Sequence, residues 1–328
     1  MIIVTGGAGF IGSVVCAQLQ IHNFKDIVVV DWLGKDDKWK NIAKRELHSI
    51  ISPENIDPFI NEHVEEIEAI VHMGAISTTT EKDVDLINKS NFELTSKLWD
   101  WCCKNDKRFI YASSAATYGS GENGFFDSED ITYLNNLRPL NPYGWSKAVF
   151  DRKVARKLLN KEKTPKQYVG LKFFNVYGPN EYHKQGQKSV IAHIFPCVKA
   201  GKPARLFKSY NPKYADGRQL RDFVWVGDAA NIIIWFLKNP DKNGLFNVGT
   251  GKARSFEDLA NAVFKALNLT PQIEYIEMPE ELRNKYQYYT QADMNKLYSI
   301  GYQKPMTSLE EGVRQYVQDF LNTEDIYL

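Results

Sequence analysis

The pattern of hydrophobic and polar positions at the start of the chain predicts a strand, a glycine-rich turn and a helix. An apolar run at residues 2–4 breaks into the small residues of 5–12, after which apolar side chains recur at helical spacing as far as Leu19. A second apolar run, 27–30, ends in Asp31. The chain therefore begins with two predicted strands joined by a helix.

Strands and helices alternate through the first half of the chain. Further strands are predicted at 69–72, 109–112 and 168–174, and helices at 81–104, 143–160 and 189–200. The stretch 41–68 carries helical signals without a confident strand. Residues 113–119 follow a predicted strand, so we expect them at the carboxyl edge of the sheet, where open α/β sheets bind ligands.

The glycine turn has the spacing Gly7-x-Gly9-x-x-Gly12 of the dinucleotide fingerprint. One glycine permits a tight turn, one allows close approach of a pyrophosphate, and one allows the helix to pack on the strand. The free N–H groups at the start of the helix then face the phosphates. A purely structural turn is the alternative. Asp31 favours the fingerprint, because an acidic residue about 20 positions on is expected to meet the adenosine ribose.

Lys38 lies in the polar loop that follows Asp31. It could offer charge to a 2′-phosphate and so favour NADP over NAD, or it could belong to a simple solvated loop. Asp31 favours NAD, because a carboxylate suits a free 2′-hydroxyl. These residues alone leave the choice open.

Composition and charge exclude several other classes of protein. The 328 residues are 43% hydrophobic and 25% charged, with a formal net charge of +1, so there is no general attraction to nucleic acid or to an anionic membrane. The apolar stretch 232–237 is far shorter than the roughly 20 residues that span a bilayer. Met1 leads directly into a strand, so we expect no signal peptide. Four scattered cysteines predict no metal site and fit a cytoplasmic location.

Tyr143 and Lys147 are one helical turn apart at the start of a predicted helix. A phenol is a poor base at neutral pH, but a neighbouring ammonium favours phenolate and lowers the phenol pKa. With a serine hydroxyl to orient the substrate, such a pair can take a proton from a secondary alcohol while hydride passes to a nicotinamide. On most helices the same spacing would mean only packing and a solvated amine.

Three motifs together resemble the extended short-chain dehydrogenase/reductase family: the glycine turn, the serine-bearing segment 113–119 and Tyr143-x-x-x-Lys147, in this order and spacing. The resemblance implies that Ser114, Tyr143 and Lys147 carry the catalytic roles.

The resemblance also implies the fold. The expected class is α/β, a doubly wound parallel Rossmann sheet with a smaller C-terminal α/β lobe for substrate. Residues 1–174, with 222–250 returning to them, would form the NAD(P)-binding domain, and residues 175–221 and 251–328 would form the substrate-binding domain.

Beyond residue 174 the chain resembles one branch of that family, the ADP-L-glycero-D-manno-heptose 6-epimerases, which carry a lysine after an Asn-Val-Tyr-Gly-Pro turn. Here that lysine is Lys184. Segments 73–81, 220–228, 246–251 and 285–293 also match. Such an epimerase handles a proton on two opposite sides of a sugar carbon, so the resemblance implies that Lys184 is a second base paired against Tyr143. The alternative is that Lys184 neutralises a substrate phosphate.

Binding residues also follow from the resemblance. It implies cofactor contacts at Gly6, Gly9, Phe10, Ile11, Gly12, Asp31, Trp32, Lys38, Met73, Gly74, Ala75, Ile76, Ser77, Asn91, Lys147, Val176 and Lys184. It implies substrate contacts at Ser114, Asn175, Gly186, His193, Phe207, Lys208, Ser209, Tyr210, Arg221 and Tyr286. Arg221 suits a pyrophosphate, although Arg221 and Asp222 could instead form a buried ion pair, and His193 could be a core histidine of an amphipathic helix.

The expected activity is the interconversion of ADP-D-glycero- and ADP-L-glycero-D-manno-heptose at C6 by transient oxidation, for lipopolysaccharide core precursors. NADP is the expected cofactor. NAD stays possible, because Trp32 replaces a small polar residue and 49–55 offer no basic match. Expected partners are ADP-heptose and further copies of the chain, a pentamer by resemblance, with no nucleic acid or membrane. A nucleotide-sugar 4-epimerase or dehydratase, and a non-catalytic NAD(P)-sensing protein, remain alternatives.

Overall fold

The structure is a computed structural model that describes residues 1–283 and 286–328; Lys285, the first residue of a matching segment, lies outside the described residues. The strands are β1 (Ile2–Thr5), β2 (Ile27–Val30), β3 (Ser49–Ile51), β4 (Ala69–His72), β5 (Arg108–Ser114), β6 (Gln167–Phe173), β7 (Asn175–Tyr177), β8 (Ala204–Phe207), β9 (Leu220–Trp225), β10 (Gly244–Val248), β11 (Ala253–Ser255) and β12 (Ile273–Ile276). The α-helices are α1 (Phe10–Ile21), α2 (Ile56–Glu62), α3 (Val84–Ile87), α4 (Leu94–Lys104), α5 (Ile131–Asn136), α6 (Pro142–Leu159), α7 (Val190–Lys199), α8 (Val226–Lys238), α9 (Phe256–Ala266), α10 (Glu280–Arg283), α11 (Asn295–Ser299) and α12 (Leu309–Gln315).

Seven strands form one parallel sheet in the order β10-β6-β5-β4-β1-β2-β3. Its central strands are apolar runs because both faces are covered by helices. The strand order reverses between β1 and β4, and the carboxyl ends of these strands therefore flank a crevice that is the expected ligand site of such a sheet. The predicted fold class is confirmed.

A second, smaller hydrophobic core is built from later parts of the chain. Strands β7, β9 and β11 form a three-stranded sheet, and β8 pairs in parallel with β12. Buried side chains of α7, α9 and α12 pack together here, among them Ile191, Val263 and Val313. The amphipathic helix predicted at 189–200 is α7, with Ser189 as its N-cap.

Two parts of the predicted secondary structure differ from the observed fold. The stretch 41–68 contains β3, a three-residue edge strand whose residues are only partly buried, so it is too short and too exposed to give a readable period. The single helix predicted at 81–104 is α3 and α4 separated by a π-helical turn at Asn88–Glu93. That turn shifts the phase of α4 relative to α3, in which Ile87 is buried and Leu86 is exposed. In the described part of the chain, no helix is long and apolar enough to cross a membrane.

Candidate active site

A cavity of ≈ 920 Å³ lies at the carboxyl edge of the seven-stranded sheet, between the two cores. A cavity of this size is in the range that holds small ligands and cofactors. Its wall includes most of the predicted cofactor residues: Gly6, Gly9, Phe10, Ile11, Gly12, Asp31, Trp32, Lys38, Met73, Gly74, Ala75, Ile76, Ser77, Lys147, Val176 and Lys184. It also includes Ser114, Tyr143, Asn175, Arg221 and Tyr286.

The glycine turn is packed so closely that side chains cannot be accommodated at Gly6 and Gly12, and without side chains its backbone is open to a dinucleotide. A Cβ on Gly12 would stand 2.1 Å from the carbonyl oxygen of Gly6. Gly6 itself has a φ of +64°, and a Cβ there would meet the backbone of Gly74 at 2.6 Å. The backbone can therefore approach a pyrophosphate closely at the start of α1, as the fingerprint requires.

At the end of β2, Asp31 forms an ion pair with Lys38. The carboxylate accepts a hydrogen bond from the Ala8 N–H at 3.0 Å and from the Lys38 ammonium at 2.7 Å. Lys38 also donates to the carbonyl of Trp32 at 2.8 Å. An anion and a cation thus lie side by side where the fingerprint places the adenosine ribose, so the site offers a partner to a 2′-hydroxyl and to a 2′-phosphate.

Asn91 lies behind the cavity wall and holds the loop after β4. It belongs to the π-helical turn, is buried, accepts a hydrogen bond from the Ile76 N–H at 2.8 Å and donates to the Ile76 carbonyl at 3.0 Å. The same amide donates to the hydroxyl of Ser146 in α6 at 3.1 Å. Asn91 therefore fixes the loop after β4 relative to α6.

Helix α6 presents the phenol and one amine to the cavity. Asn141 caps the helix by accepting from the Gly144 N–H at 2.8 Å, and Pro142 is the first helical residue, where its missing N–H has no cost. Tyr143 and Lys147 therefore lie in the first two turns, near the positive end of the helix dipole.

The expected lowering of the Tyr143 pKa by Lys147 is not found in this structure: burial raises the pKa of the phenol, and a hydrogen bond with Ser114 opposes that shift. Burial lowers the pKa of Lys147 to about 8, while Asp151 acts in the opposite direction. Ser114, at the end of β5, accepts a hydrogen bond from the Ala116 N–H at 3.1 Å. Ser114 and Tyr143 thus both face the cavity, one from the end of β5 and the other from the start of α6.

A buried ion pair supports α6 from behind, and sequence analysis did not find it. Asp151 and Lys172 are both fully buried and 2.7 Å apart. The same carboxylate oxygen accepts from Ser113 at 2.7 Å, and the ammonium donates to Thr117 at 2.7 Å. The sequence signal was a lysine flanked by apolar residues in β6.

Lys184 reaches the cavity from the other core. It lies in a short helical turn, Tyr182–Gln187, between β7 and α7, with its ammonium 5.3 Å from the centre of the Phe10 ring. Burial lowers the pKa of Lys184, and Glu181 acts in the opposite direction. Glu181 is itself buried and accepts from the hydroxyls of Ser189 at 2.6 Å and Tyr316 at 2.9 Å. His183, on the cavity wall beside Lys184, was also missed; burial lowers its pKa to about 4.

Arg221 is buried and turned towards aromatic rings. Its guanidinium lies 5.1 Å from the Tyr286 ring and 5.6 Å from the Phe256 ring. The suggested Arg221–Asp222 ion pair is not formed among the described residues, because the Asp222 carboxylate accepts from backbone N–H groups, at 2.7 Å from Thr250 for example. Arg221 therefore stays available to an anion in the cavity.

Among the described residues, six of those predicted to contact substrate do not line the cavity: Gly186, His193, Phe207, Lys208, Ser209 and Tyr210. His193 has an exposed side chain near the Gly186 carbonyl, at 3.3 Å, so the alternative of a core histidine is wrong. Lys208 and Tyr210 both contact Glu277. Lys208, Ser209 and Tyr210 follow β8 directly, outside the cavity wall.

The family to which the chain belongs follows from comparison with known proteins. The sequence model of the NAD dependent epimerase/dehydratase family matches residues 2–249. The chain is 48% identical to ADP-L-glycero-D-manno-heptose-6-epimerase of Fusobacterium nucleatum subsp. nucleatum, over the full length of both. The structure resembles the crystal structure of Helicobacter pylori ADP-L-glycero-D-manno-heptose-6-epimerase with a TM-score of 0.75, 28% identity and coverage of 97% of this chain and 95% of that one.

A third comparison bears on the fold alone. UDP-N-acetylglucosamine 4-epimerase from Methanobrevibacter ruminantium M1 superposes with a TM-score of 0.81 at 24% identity, covering 98% of each chain. The family model and the full-length relatives confirm the resemblance to the extended short-chain dehydrogenase/reductases. The chain belongs to the NAD dependent epimerase/dehydratase family and, within it, to the ADP-L-glycero-D-manno-heptose-6-epimerases.

Proposed function

We propose that the chain interconverts ADP-D-glycero-D-manno-heptose and ADP-L-glycero-D-manno-heptose at C6, and so supplies a heptose precursor for the lipopolysaccharide core. The full-length relatives support this isomerase activity. The observation that carries the proposal is that one cavity receives a phenol with its neighbouring amine, Tyr143 and Lys147, and a second amine, Lys184, from a separate element. A simple dehydrogenase needs only the first pair.

In this scheme Tyr143 takes the proton of the sugar hydroxyl. The ammonium of Lys147 and the start of α6 stabilise the phenolate, and Ser114 orients the hydroxyl through its hydrogen bond. A nicotinamide bound in this cavity would supply the acceptor and the donor for the hydride of the sugar carbon. Lys184 acts on the other side of the sugar, where it gives a proton to the oxygen or takes one, depending on the direction. Burial lowers its pKa, which favours the neutral amine relative to an exposed lysine.

We propose NADP as the cofactor, with NAD as the alternative. Lys38 supports the former because its ammonium can bind a 2′-phosphate, whereas Asp31 supports the latter. Mass spectrometry of the dinucleotide released when the purified protein is denatured distinguishes NADP from NAD, since NADP carries one additional phosphate.

Residues 175–221 and 251–328 are proposed as the substrate-binding domain, with Arg221 and Tyr286 holding the nucleotide end of the substrate. Residues 1–174 and 222–250 are proposed as the NAD(P)-binding domain.

A homo-oligomer, by family resemblance a pentamer, is proposed for the active form. Light scattering tests this by comparing the mass in solution with five times the chain mass of 37.6 kDa. We propose a cytoplasmic location, which suits four free thiols, three of them buried.

The deciding experiment compares Lys184→Met with Lys188→Met, a second lysine on the same cavity wall. Conversion of ADP-D-glycero-D-manno-heptose is followed by NMR of the C6 proton, with UDP-galactose as the competing substrate. Losing one proton-transfer group should lower kcat of Lys184→Met by about 10²-fold or more. The control should keep a kcat close to wild type.

Two results would contradict the proposal. Epimerisation by Lys184→Met at the normal rate, or with only KM raised, would make Lys184 a binding group for substrate phosphate. Turnover of UDP-galactose in place of ADP-heptose would assign the chain to the 4-epimerases.

A further inference from the structure

Residues 325–328 pack across the junction between the two cores; we name this segment the clasp. Towards the second core, the Tyr182 hydroxyl donates to the Ile326 carbonyl at 2.7 Å, and the Leu328 N–H donates to the Asn180 side-chain oxygen at 3.0 Å. The rings of Tyr182 and Tyr327 meet edge to face at 5.4 Å. The clasp therefore holds the turn that leads to Lys184.

Towards the cofactor side, the clasp is held by Lys44. Its ammonium donates to the Tyr327 carbonyl at 2.7 Å and pairs with the Asp325 carboxylate at 2.7 Å. The Arg45 guanidinium donates to the Leu328 carbonyl at 3.3 Å, and the Leu328 side chain packs on the core of the seven-stranded sheet. One four-residue segment thus joins the turn at 180–184 to the segment that follows Lys38.

Asn180 is where these contacts meet. It is fully buried, with a φ of +72°, and its side-chain amide donates to the Ser13 hydroxyl in α1 at 3.0 Å. Asn41 donates to the Asn180 carbonyl at 3.1 Å and to the Ala8 carbonyl in the glycine turn at 2.9 Å. Hydrogen bonds therefore join the glycine turn, the segment around Asn41 and the turn before Lys184 into one unit, and the clasp packs against the outer side of that unit.

The turn that carries Lys184 needs such outside support. It is only six residues long, and its helical backbone is broken at Gln185, where φ is +47°. A short helical turn is not stable by itself in water. Glu181 and Asn180 anchor its beginning, and the clasp covers Tyr182 within it.

We propose that the clasp is a positioning segment that directs Lys184 into the cavity and couples its placement to the segment around the cofactor. The inference rests on the proposed function, in which Lys184 is the second base. The clasp makes no contact with the reacting atoms in this scheme. Its effect should therefore appear in kcat more than in KM, because a small displacement of a proton-transfer group slows the chemical step.

The test removes the clasp's cofactor-side anchor by Lys44→Ala. The matched control is Lys97→Ala, which removes an exposed lysine paired with Asp57 elsewhere on the surface. We expect kcat for ADP-heptose epimerisation to fall about tenfold in Lys44→Ala, with KM within about twofold, because the variant loses one anchoring amine and not the catalytic group. Lys44→Arg keeps a donor for both oxygens and should restore most of the rate.

A second readout does not depend on catalysis. Brief acetylation with acetic anhydride followed by mass spectrometry measures how accessible each lysine is. Labelling of Lys184 should rise about fivefold in Lys44→Ala and stay at the wild-type level in the control, because partial release of the turn exposes the amine. If the wild-type protein fails to epimerise, the proposed function fails and this measurement still tests the clasp.

Normal kcat together with normal Lys184 labelling in Lys44→Ala would overturn the inference. If that variant is too unstable to assay, Tyr327→Ala tests the same segment, with Tyr327→Phe as the variant that keeps the ring contact with Tyr182. An equal loss in Tyr327→Ala and Tyr327→Phe would likewise contradict a positioning role for the ring.

Discussion

The two sides of the cavity hold the proposed proton-transfer groups in different ways. Tyr143 and Lys147 lie on α6, an 18-residue helix packed against the sheet, and their relative position follows from helical geometry. Lys184 lies on a six-residue turn that is supported by two long-range hydrogen bonds, Tyr316 to Glu181 and Tyr182 to Ile326, which span 135 and 144 positions in sequence. The first side is rigid through local structure, whereas the second depends on long-range contacts.

Because of this difference, substitutions on the Tyr143 side and on the Lys184 side of the cavity should have different effects on the rate. Damage to the phenol side should remove the chemistry outright. Damage to the supports of the amine side should instead reduce the rate in graded steps, since each support contributes one hydrogen bond among several.

The largest effect is expected for Tyr143→Phe. Loss of the hydroxyl removes the group that takes the first proton, so kcat should fall about 10³-fold with the fold intact. NMR of the heptose epimers measures the rate, and ultraviolet absorbance of the released cofactor checks that the dinucleotide is still bound. Retention of more than a tenth of the activity would mean that another group takes this proton.

A smaller loss, about 10²-fold in kcat, is expected for Lys147→Met, which keeps the side-chain length without the charge. The same variant should be more stable than wild type when free of cofactor. Burial lowers the Lys147 pKa to about 8 from the ordinary value of 10.5, so between these pH values the unfolded chain holds a proton that the folded form has released.

The stability of the wild-type protein therefore rises with pH between about 8 and 10.5. Below pH 8, Lys147→Met should gain at most about 3 kcal/mol in free energy of unfolding over wild type, and the gap should close by pH 10.5. Urea unfolding at pH 7 and at pH 10 measures it. If the difference in free energy of unfolding between the two proteins widened with pH, burial of the Lys147 ammonium would not be its cause.

On the amine side, Tyr316→Phe removes one donor to the buried Glu181 carboxylate and keeps the ring. We expect a loss of about 1–3 kcal/mol in free energy of unfolding and a fall in kcat of about threefold to tenfold. Urea unfolding and epimerisation kinetics measure these. The control is Tyr302→Phe, because the Tyr302 hydroxyl has no hydrogen-bond partner among the described residues. Equal losses in both variants would show that Glu181 gives the turn no special support.

The smallest effect is expected for His193→Ala. The side chain is exposed and lies off the cavity wall as described, so a substrate contact there would be solvated and weak. We expect KM to rise about twofold to threefold with kcat unchanged. Substrate titrations measure both constants. A fall in kcat comparable to that of Tyr316→Phe would place His193 among the groups that orient the sugar.

Sequence alone predicted the features of the fold that depend on local patterns. The apolar runs of β1, β2 and β4 and the glycine turn were visible because neighbouring residues define them. The spacing of Tyr143 and Lys147 was visible for the same reason. Strand β3 was missed because it is short and half-exposed.

The supports of the site could not be predicted in this way. Asp151 pairs with Lys172 across 21 positions, and Asn180 contacts Ser13 across 167. No periodicity within a helix or strand links residues so far apart, so only the folded chain brings them together. The role of Lys184 entered through family resemblance, and what holds it became visible only in three dimensions.

The π-helical turn at Asn88–Glu93 has one more consequence. A regular α-helix advances about 100° per residue, and a π-helical turn holds one extra residue. We infer that this extra residue directs the Asn91 amide inward, where it hydrogen-bonds both the N–H and the carbonyl of Ile76. Removing a single residue from that turn would restore an ordinary helix and point the amide elsewhere. The contact of Asn91 with the loop after β4 therefore depends on helical phase, which a change in chain length can abolish without altering any residue of the cavity wall.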